Sequence, residues 1–282
     1  MEENVLTHDA ILKMLPDRSP DSHKGNYGRI LIIAGSRGYT GAPCLAARGA
    51  LRCGAGLVNL LVPKSVYPVV AGKMDEAMVS PLPSAQGKLS FFACRMIKKQ
   101  LSKADVVLLG PGLGQSYGVY SVVSWILKNF SGPVILDADG INVLSGHIDI
   151  LRGRTAPTIL TPHPSEFVRL GGQLSKGRTS AAVDFAKDTG CVLVLKGHNT
   201  VITDGTQLFC NPTGNPGMAV GGSGDVLAGM IAALLGQGLS TVEAAACGAW
   251  IHGAAGDICA KELGQYGMLP TDMLSVLPRL LK

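Results

Sequence analysis

Aromatic residues, charged residues and long apolar runs are all scarce in this sequence of 282 residues. Aromatics make up 5 % of the chain, and the lysines and arginines are scattered without aromatic neighbours, which argues against nucleic-acid binding. No apolar run approaches the ~20 residues that cross a bilayer, so we expect no membrane partner. Charged residues make up only 16 %, and the mild net charge of +5 suits small anionic ligands such as nucleotides.

The common catalytic and metal-binding motifs are also missing. The chain has no HExxH, CxxC or GxSxG sequence, which excludes the usual zinc sites, metalloproteases and α/β-hydrolases. The two commonest phosphate loops are absent as well. No Walker A sequence occurs, and the glycines of Gly110–Gly114 have the wrong spacing for a dinucleotide-binding fingerprint. A nucleotide site in this chain must therefore be of another kind.

Cysteine use and the N-terminus indicate the compartment. Cys44, Cys53, Cys191 and Cys247 lie among apolar or small residues, as the reduced thiols of a protein core do. Residues 1–9 are polar and acidic and lack the basic-then-apolar pattern of a signal peptide. The sequence therefore predicts a cytoplasmic protein.

Hydrophobic residues make up 46 % of the chain and form short apolar runs that alternate with helical segments. Such runs predict strands buried on both faces, in a mostly parallel sheet with helices on either side. We expect strands at 29–34, 57–62, 105–109, 133–137, 158–160 and 191–195, and a hairpin of 200–203 with 207–210. We expect helices at 7–15, 42–53, 119–129, 225–235, 242–263 and 272–281. No linker or repeat is visible, so the prediction is a single α/β domain over residues 1–282.

The unusual motifs all follow predicted strands. They are Gly35–Thr40, Gly110–Gly114, Asp137–Asn142, Thr161–Glu166 and Lys196–Asn199. Ligands of open α/β sheets bind outside the carboxyl ends of the strands. The sequence therefore predicts one binding site at this edge of the sheet.

The stretch from Gly214 to Met230 is the most informative. Gly221–Gly224 come directly before an apolar helix, and a glycine-rich helix N-terminus offers unpaired N–H donors to a phosphate or an oxyanion. Asp225 places a carboxylate beside that anion site. It is either a simple helix cap or a base that takes a proton from a substrate hydroxyl while the turn holds a transferred phosphoryl group.

Five other polar side chains have both a structural and a functional interpretation. Asp137 and Asp139 either cap a short helix or bind a ligand or metal. His163, held between two prolines, is expected to contact a ligand. Glu166 is either a capping residue or an organiser of Mg²⁺-bound water. Lys196 is either a solvated strand end or a cation that neutralises a nucleotide phosphate.

The ordered set of segments resembles the ribokinase-like superfamily and, within it, the ADP/ATP-dependent NAD(P)H-hydrate dehydratases. The resemblance covers about residues 20–280. It is carried by Lys24–Gly28 with the strand that follows, Tyr39–Pro43, Gly110–Gly114, Leu136–Gly140, Thr161–Glu166, Leu195–Gly197 and Asn211–Gly229. Each segment is weak alone, whereas the set in this order is highly specific.

The resemblance implies a repair reaction in a single-domain ribokinase-like fold. Hydrated NADH or NADPH would be dehydrated at the expense of ADP or ATP with Mg²⁺, through phosphorylation of the ring hydroxyl and elimination of phosphate. The implied catalytic residues are Asp225 as the base and Gly222, Ser223 and Gly224 as the anion hole. The implied contacts to the hydrated dinucleotide are Ala42, Gly114, His163 and Asp225. Those to the adenine nucleotide are Lys196, Gly197, His198, Asn199, Thr200 and Gly224, and Glu166 would act on Mg²⁺ through water.

Two differences between this sequence and the related families bear on the choice of function. His163 stands where kinases of this fold commonly have Asn, which favours a dehydratase over a kinase. About twenty residues precede the first motif, so we expect the epimerase domain of many relatives to be a separate, functionally paired protein. The resemblance also suggests a homo-oligomer such as a homotetramer.

Two other functions stay open. One is a kinase of the same fold that acts on a vitamin-precursor alcohol. The other is a nucleotide-binding module without catalysis, against which Asp225 argues, because a carboxylate beside phosphate would weaken mere binding.

Overall fold

A ten-stranded sheet forms the centre of the computed structural model, which describes residues 4–281. Its order is β1-β12-β11-β10-β9-β8-β7-β2-β3-β4, and β5 and β6 form a separate hairpin. Pairing in the large sheet is parallel except where β11 lies antiparallel between β10 and β12. The strands are β1 (Asn4–Val5), β2 (Arg29–Ile33), β3 (Leu57–Pro63), β4 (Met78–Leu82), β5 (Ser84–Ala85), β6 (Lys88–Leu89), β7 (Val106–Leu109), β8 (Val134–Leu136), β9 (Thr158–Leu160), β10 (Val192–Leu195), β11 (Thr200–Thr203) and β12 (Leu208–Asn211).

Helices cover both faces of this sheet. They are α1 (His8–Met14), α2 (Gly41–Arg52), α3 (Tyr67–Ala71), α4 (Ala93–Leu101), α5 (Tyr117–Asn129), α6 (Asp139–Asn142), α7 (Asp149–Arg152), α8 (Pro164–Arg169), α9 (Arg178–Thr189), α10 (Ser223–Gly236), α11 (Thr241–Leu263) and α12 (Pro270–Leu280). Single 3₁₀ turns occur at Lys24–Tyr27, Leu174–Lys176 and Pro216–Met218. In the described part of the chain, no helix is long and apolar enough to cross a membrane.

The strands lack a polar face because both faces are buried. In β2, Ile30 and Ile32 join the apolar cluster formed with α2, α10, α11 and α12, whereas Leu31 and Ile33 join the cluster formed with α4, α5 and α9. Continuous apolar runs are the signature of such doubly covered parallel strands. The predicted fold class, a mostly parallel sheet with helices on both faces, is confirmed.

Several element boundaries differ from the prediction. The helix α10 begins at Ser223 rather than at Asp225, so part of the glycine turn is already helical. The second hairpin strand is 208–211 rather than 207–210, because Asp204 Oδ1 accepts the backbone N–H of Gln207 and keeps that residue in the turn. The strands β1 and β4 and the helices α4 and α9 were not predicted from the sequence. Cys44, Cys53, Cys191 and Cys247 are buried, as expected of core thiols.

Close packing of α10 on α2 positions the end of α10 that faces the predicted site. A Cβ built on Gly229 would lie 2.0 Å from the carbonyl oxygen of Ala46, and one built on Gly49 would lie 2.5 Å from that of Val226. The two backbones therefore meet where only glycine fits. This contact holds the N-terminus of α10 at the edge where the parallel strands end.

Candidate active site

The loops after β2, β7 and β8 are joined by direct contacts. Ser36 Oγ donates to the carbonyl oxygen of Gly112 at 2.8 Å, and the N–H of Gly114 donates to Asp139 Oδ2 at 2.7 Å. A Cβ built on Gly112 would lie 3.0 Å from that of Ala42. Ala42 and Gly114, two of the predicted substrate contacts, therefore lie on the same rim as the Asp137–Asn142 loop.

A buried ion pair lies at the next loops. Lys196 Nζ donates to Asp137 Oδ1 at 2.9 Å and is 4.0 Å from Glu166 Oε2, and Thr161 Oγ1 donates to Asp137 Oδ1 at 2.7 Å. The carboxylate side chains are 2 % and 6 % exposed, and the lysine 21 %. The interpretation of Lys196 as a solvated cation at the end of a strand was therefore wrong. Burial lowers the pKa of this ammonium, but the charges of Asp137, Glu166 and Asp225 outweigh burial and raise the pKa overall.

The N-terminus of α10 contains the residues of the predicted anion hole, and its hydrogen bonds differ in one detail from that prediction. Gly222 is the N-cap residue, with φ +100°, a conformation that favours glycine. The N–H of Ser223 already donates to the carbonyl oxygen of Val220 at 3.3 Å. Among the described residues, the N–H groups without a backbone acceptor in this turn are therefore those of Gly221, Gly222, Gly224 and Asp225.

Asp225 is the third residue of α10 and does not act as its cap. Within residues 4–281 its carboxylate makes no hydrogen bond and no ion pair, so its oxygens are available to a ligand proton. Burial raises the pKa of Asp225 to about 7, Asp137 adds to the rise, and Lys196 opposes it. A Cβ built on the adjacent Gly224 would lie 3.3 Å from Lys196 Nζ, which places the turn beside the buried ion pair. A carboxylate with these properties can accept a proton near neutral pH.

The loop after β9 contains a capping box. His163 Nδ1 accepts the N–H groups of Ser165 and Glu166 at 3.1 and 3.3 Å, and Glu166 Oε2 accepts the N–H of His163 at 2.9 Å. The capping role of Glu166 is thus confirmed. His163 Nε2 lies 3.5 Å from Glu166 Oε1, and the side chain is 46 % exposed, so the imidazole ring stays accessible to a ligand.

The two aspartates after β8 do not cap the short helix α6, so that alternative was wrong. The N-cap residue is Ala138, at φ +48° and without a side-chain hydrogen bond. Asp137 instead pairs with Lys196, and Asp139 fastens the Gly110–Gly114 turn. Both carboxylates hold neighbouring loops together.

The predicted nucleotide loop lies at the rim beside Lys196. Residues 197–199 are exposed, and Gly197 and Asn199 have positive φ angles of +148° and +54°. Thr200 Oγ1 donates to the carbonyl oxygen of Gly197 at 2.9 Å. The contacts of the site thus bring Lys196 next to Asp137, Glu166 and Gly224, and they bring Gly114 next to Asp139.

Sequence reasoning missed three residues of this region. Thr161 holds Asp137, Arg178 donates to the nucleotide loop, and His252 Nε2 lies 3.4 Å from Ser223 Oγ. Burial lowers the pKa of His252 to about 4, so the imidazole is neutral at pH 7. None of the three had a local signal in the sequence, since the helix that Arg178 begins, α9, was itself not predicted.

The described residues contain no group of three or more histidine, cysteine, aspartate or glutamate side chains placed to hold a metal ion. The site instead offers two buried carboxylates, Asp137 and Glu166, beside a cation. A metal at this site would need ligands from a bound phosphate or from water.

A family model described as NAD(P)H-hydrate dehydratase matches residues 30–279. The chain belongs to the NAD(P)H-hydrate dehydratase family. The match covers every element that builds the site, from β2 to α12.

Individual relatives agree with the family. The chain is 38 % identical over 257 residues to the ADP-dependent (S)-NAD(P)H-hydrate dehydratase of Neisseria meningitidis, covering 88 % of this chain and 82 % of that one. It is 45 % identical over 285 residues to the bifunctional NAD(P)H-hydrate repair enzyme of Moorella thermoacetica, covering 99 % of this chain and 54 % of that one. The chain thus spans about half the length of the bifunctional relatives it matches.

A solved structure supports the same assignment. The ADP/ATP-dependent NAD(P)H-hydrate dehydratase of Bacillus subtilis, co-crystallised with ATP and Mg²⁺, aligns with a TM-score of 0.83 at 32 % identity, covering 99 % of this chain and 98 % of that one. The ribokinase-like fold expected from the resemblance is confirmed.

Proposed function

We propose that this protein dehydrates hydrated NADH and NADPH at the expense of ADP or ATP. The observation that carries the proposal is the carboxylate of Asp225, which makes no hydrogen bond and no ion pair within the described residues and lies beside open N–H donors at the start of α10. Family membership narrows the substrate to the hydrated nicotinamide ring. The N. meningitidis relative supports ADP as donor, and the B. subtilis relative supports ADP or ATP.

The reaction would begin with proton removal by Asp225. The ring hydroxyl of the substrate gives its proton to this carboxylate, and the oxygen attacks the terminal phosphorus of the nucleotide. Because the pKa of Asp225 is about 7, a large fraction of the carboxylate is ionised at neutral pH while still being a strong enough base to accept the proton.

The charge that moves onto the phosphoryl oxygens would meet two features of the site. The open N–H groups of Gly222, Gly224 and Asp225 point their dipoles at an anion, and Lys196 Nζ lies next to Gly224. The ion pair with Asp137 holds the ammonium in place before the nucleotide arrives. These donors require no reorganisation during the transfer.

Elimination would complete the reaction. The C–O bond to the phosphorylated ring carbon breaks, phosphate leaves with the bonding electrons, and the neighbouring ring carbon loses a proton to restore the dihydronicotinamide. Phosphate is a far better leaving group than hydroxide, which explains the expenditure of a nucleotide. The substrate contacts we propose are Ala42, Gly114 and His163, and the nucleotide contacts are Lys196, Gly197, His198, Asn199, Thr200 and Gly224.

The acidic surroundings of Lys196 fit a magnesium-bound nucleotide. Asp137 and Glu166 together carry more negative charge than Lys196 neutralises, and oxygen is the ligand that Mg²⁺ prefers. We propose that Glu166 faces the ion through water from Oε1, which accepts no backbone N–H among the described residues and lies 3.5 Å from His163 Nε2. When bound, the ion would neutralise charge on the transferring phosphoryl group.

The proposal extends to assembly and partners. We propose a cytoplasmic homo-oligomer such as a homotetramer, which the exposed apolar side chains of Leu263, Tyr266 and Leu269 support. We also propose that the enzyme works together with an epimerase activity, since its longer relatives are named bifunctional.

The stoichiometry of the reaction separates this proposal from a kinase of the same fold. The protein is incubated with hydrated NADH, Mg²⁺ and excess ADP or ATP, and dihydronicotinamide and inorganic phosphate are quantified over time. We expect one phosphate released for each dihydronicotinamide restored. Consumption of nucleotide with a stable phosphate ester as the product would instead identify a kinase.

A further inference from the structure

Arg178 is placed where a cation is not expected. It is the first residue of α9, and the N-terminus of a helix carries a partial positive charge that disfavours basic side chains. Within the described residues no carboxylate lies within ion-pair distance of its guanidinium, and its buried Nε has no hydrogen-bond partner. Both features cost stability, so another interaction must retain this side chain.

That interaction is with the nucleotide loop. Nη1 of Arg178 donates to the carbonyl oxygen of His198 at 2.6 Å, and Nη2 donates to those of Leu195 and Lys196 at 2.9 and 3.1 Å. One planar guanidinium therefore binds three carbonyl groups in a stretch of four residues. This geometry needs the forked donors of arginine, which lysine lacks.

The loop needs such a support because its backbone is strained. Gly197 and Asn199 both have positive φ angles, and Asn199 is not a glycine. Both backbone groups of Lys196 are hydrogen-bonded. Its N–H donates to the carbonyl oxygen of Pro162 at 2.9 Å, and its carbonyl oxygen accepts from Arg178. The guanidinium thus fixes the backbone from which the ammonium of Lys196 reaches the phosphate site.

We propose that Arg178 is a positioning residue for the adenine nucleotide, which holds residues 196–200 in their nucleotide-binding shape. This inference rests on the proposed function, in which that loop binds ADP or ATP. Arg178 acts through the backbone of the loop and does not touch the reacting atoms. Because Asp137 holds the ammonium of Lys196 independently of Arg178, loss of Arg178 weakens nucleotide binding and leaves the chemistry of the bound complex intact.

Arg154 provides a matched control at the opposite edge of the sheet. Its guanidinium also donates to three carbonyl oxygens, those of Leu127, Phe130 and Gly132. It is partly buried and lies outside the candidate site. Substitution of either arginine by alanine removes a similar set of bonds, but only Arg178→Ala removes them from the nucleotide loop.

The test compares the KM values of the wild type, Arg178→Ala, Arg178→Lys and Arg154→Ala in the dehydration assay. For Arg178→Ala we expect the nucleotide KM to rise at least 30-fold, while kcat at saturating nucleotide and the KM for hydrated NADH change less than 3-fold. Arg178→Lys should stay at least 10-fold impaired, and Arg154→Ala should change none of these constants. Added methylguanidinium should restore nucleotide binding to Arg178→Ala and not to Arg178→Lys.

Each other outcome has a definite meaning. A wild-type protein that is inactive with both nucleotides overturns the proposed function itself. An active wild type with an unchanged nucleotide KM in Arg178→Ala or Arg178→Lys overturns only the role of Arg178. An equal loss in Arg154→Ala also overturns it, because the effect would then be one of general stability. If Arg178→Ala does not fold, the nucleotide KM of Arg178→Lys decides whether Arg178 positions the nucleotide loop.

Discussion

Replacement of Asp225 by asparagine separates a catalytic carboxylate from a structural one, because the two roles predict opposite changes in stability. Asparagine keeps the shape of the side chain but cannot accept a proton. Removal of a general base lowers turnover by about 10²- to 10⁴-fold. Since the carboxylate makes no bond within the described residues, we expect nucleotide affinity to change only a few-fold.

The stability change follows from the raised pKa. The native state holds the pKa of Asp225 at about 7, above the ordinary 3.8, so folding favours the protonated acid. The stabilisation of the folded state by protonated Asp225 is complete below about pH 4 and is lost as the pH rises to about 7. The full shift corresponds to at most about 4 kcal/mol, and to about 2 kcal/mol for a side chain that water partly reaches. At pH 8, Asp225→Asn should therefore be the more stable protein, and the gain should shrink towards pH 5.

Two assays check these expectations together. Urea unfolding at pH 5 and pH 8 gives the stability difference, and calorimetric titration with ADP gives the affinity. A variant that keeps wild-type turnover would refute the base. A variant that loses stability at pH 8 would show that Asp225 is a cap whose charge stabilises α10. That result would contradict the claim that burial of the ionised carboxylate destabilises the folded state.

Three further predictions concern the site and its support. The kcat/KM for hydrated NADH should rise with pH up to about 7 and then level off, because the free enzyme must lose the proton of Asp225; a pH–rate profile that is flat from 5 to 8 contradicts this. Lys196→Ala should weaken nucleotide binding more than dinucleotide binding, and titration with each ligand that gives the opposite order would mean that the two subsites are reversed. The same variant should lower the free energy of unfolding by about 3 kcal/mol, since Asp137 and Glu166 lose their buried counter-charge. Gly229→Ala should lower the free energy of unfolding, measured in urea, by more than about 2 kcal/mol, because the new Cβ would lie 2.0 Å from the carbonyl oxygen of Ala46. Gly221→Ala is the control and should have little effect on stability, since a Cβ there would have no atom within 4 Å. Equal stabilities of the two variants would contradict the close packing of α10 on α2.

The features that sequence reasoning predicted correctly are those set by local patterns. Apolar strands such as β2 and β7 are continuous because both faces are buried, and this shows in the sequence as runs without alternation. The shared edge of parallel strands then brings the motif loops together whatever their separation along the chain. Asp137, Lys196 and Gly224 come from three distant segments and lie side by side for this reason.

The features that were missed depend on partners far away in the sequence. Nothing local shows that Asp137 pairs with Lys196 instead of capping α6, because the partner lies 59 residues further along the chain. The start of α10 was placed too late, since glycines usually end helices, yet in a first turn the N–H groups are unpaired anyway. The strand β4 and the helix α9 lack a strong apolar pattern of their own and are held by packing on neighbours.

The most direct test of the account mixes the protein with hydrated NADH, Mg²⁺ and either ADP or ATP. The readout is the return of dihydronicotinamide absorbance. We expect recovery that requires one of the two nucleotides, and no recovery with the Asp225→Asn variant under the same conditions. Folded wild-type protein that restores no absorbance with either nucleotide would contradict it.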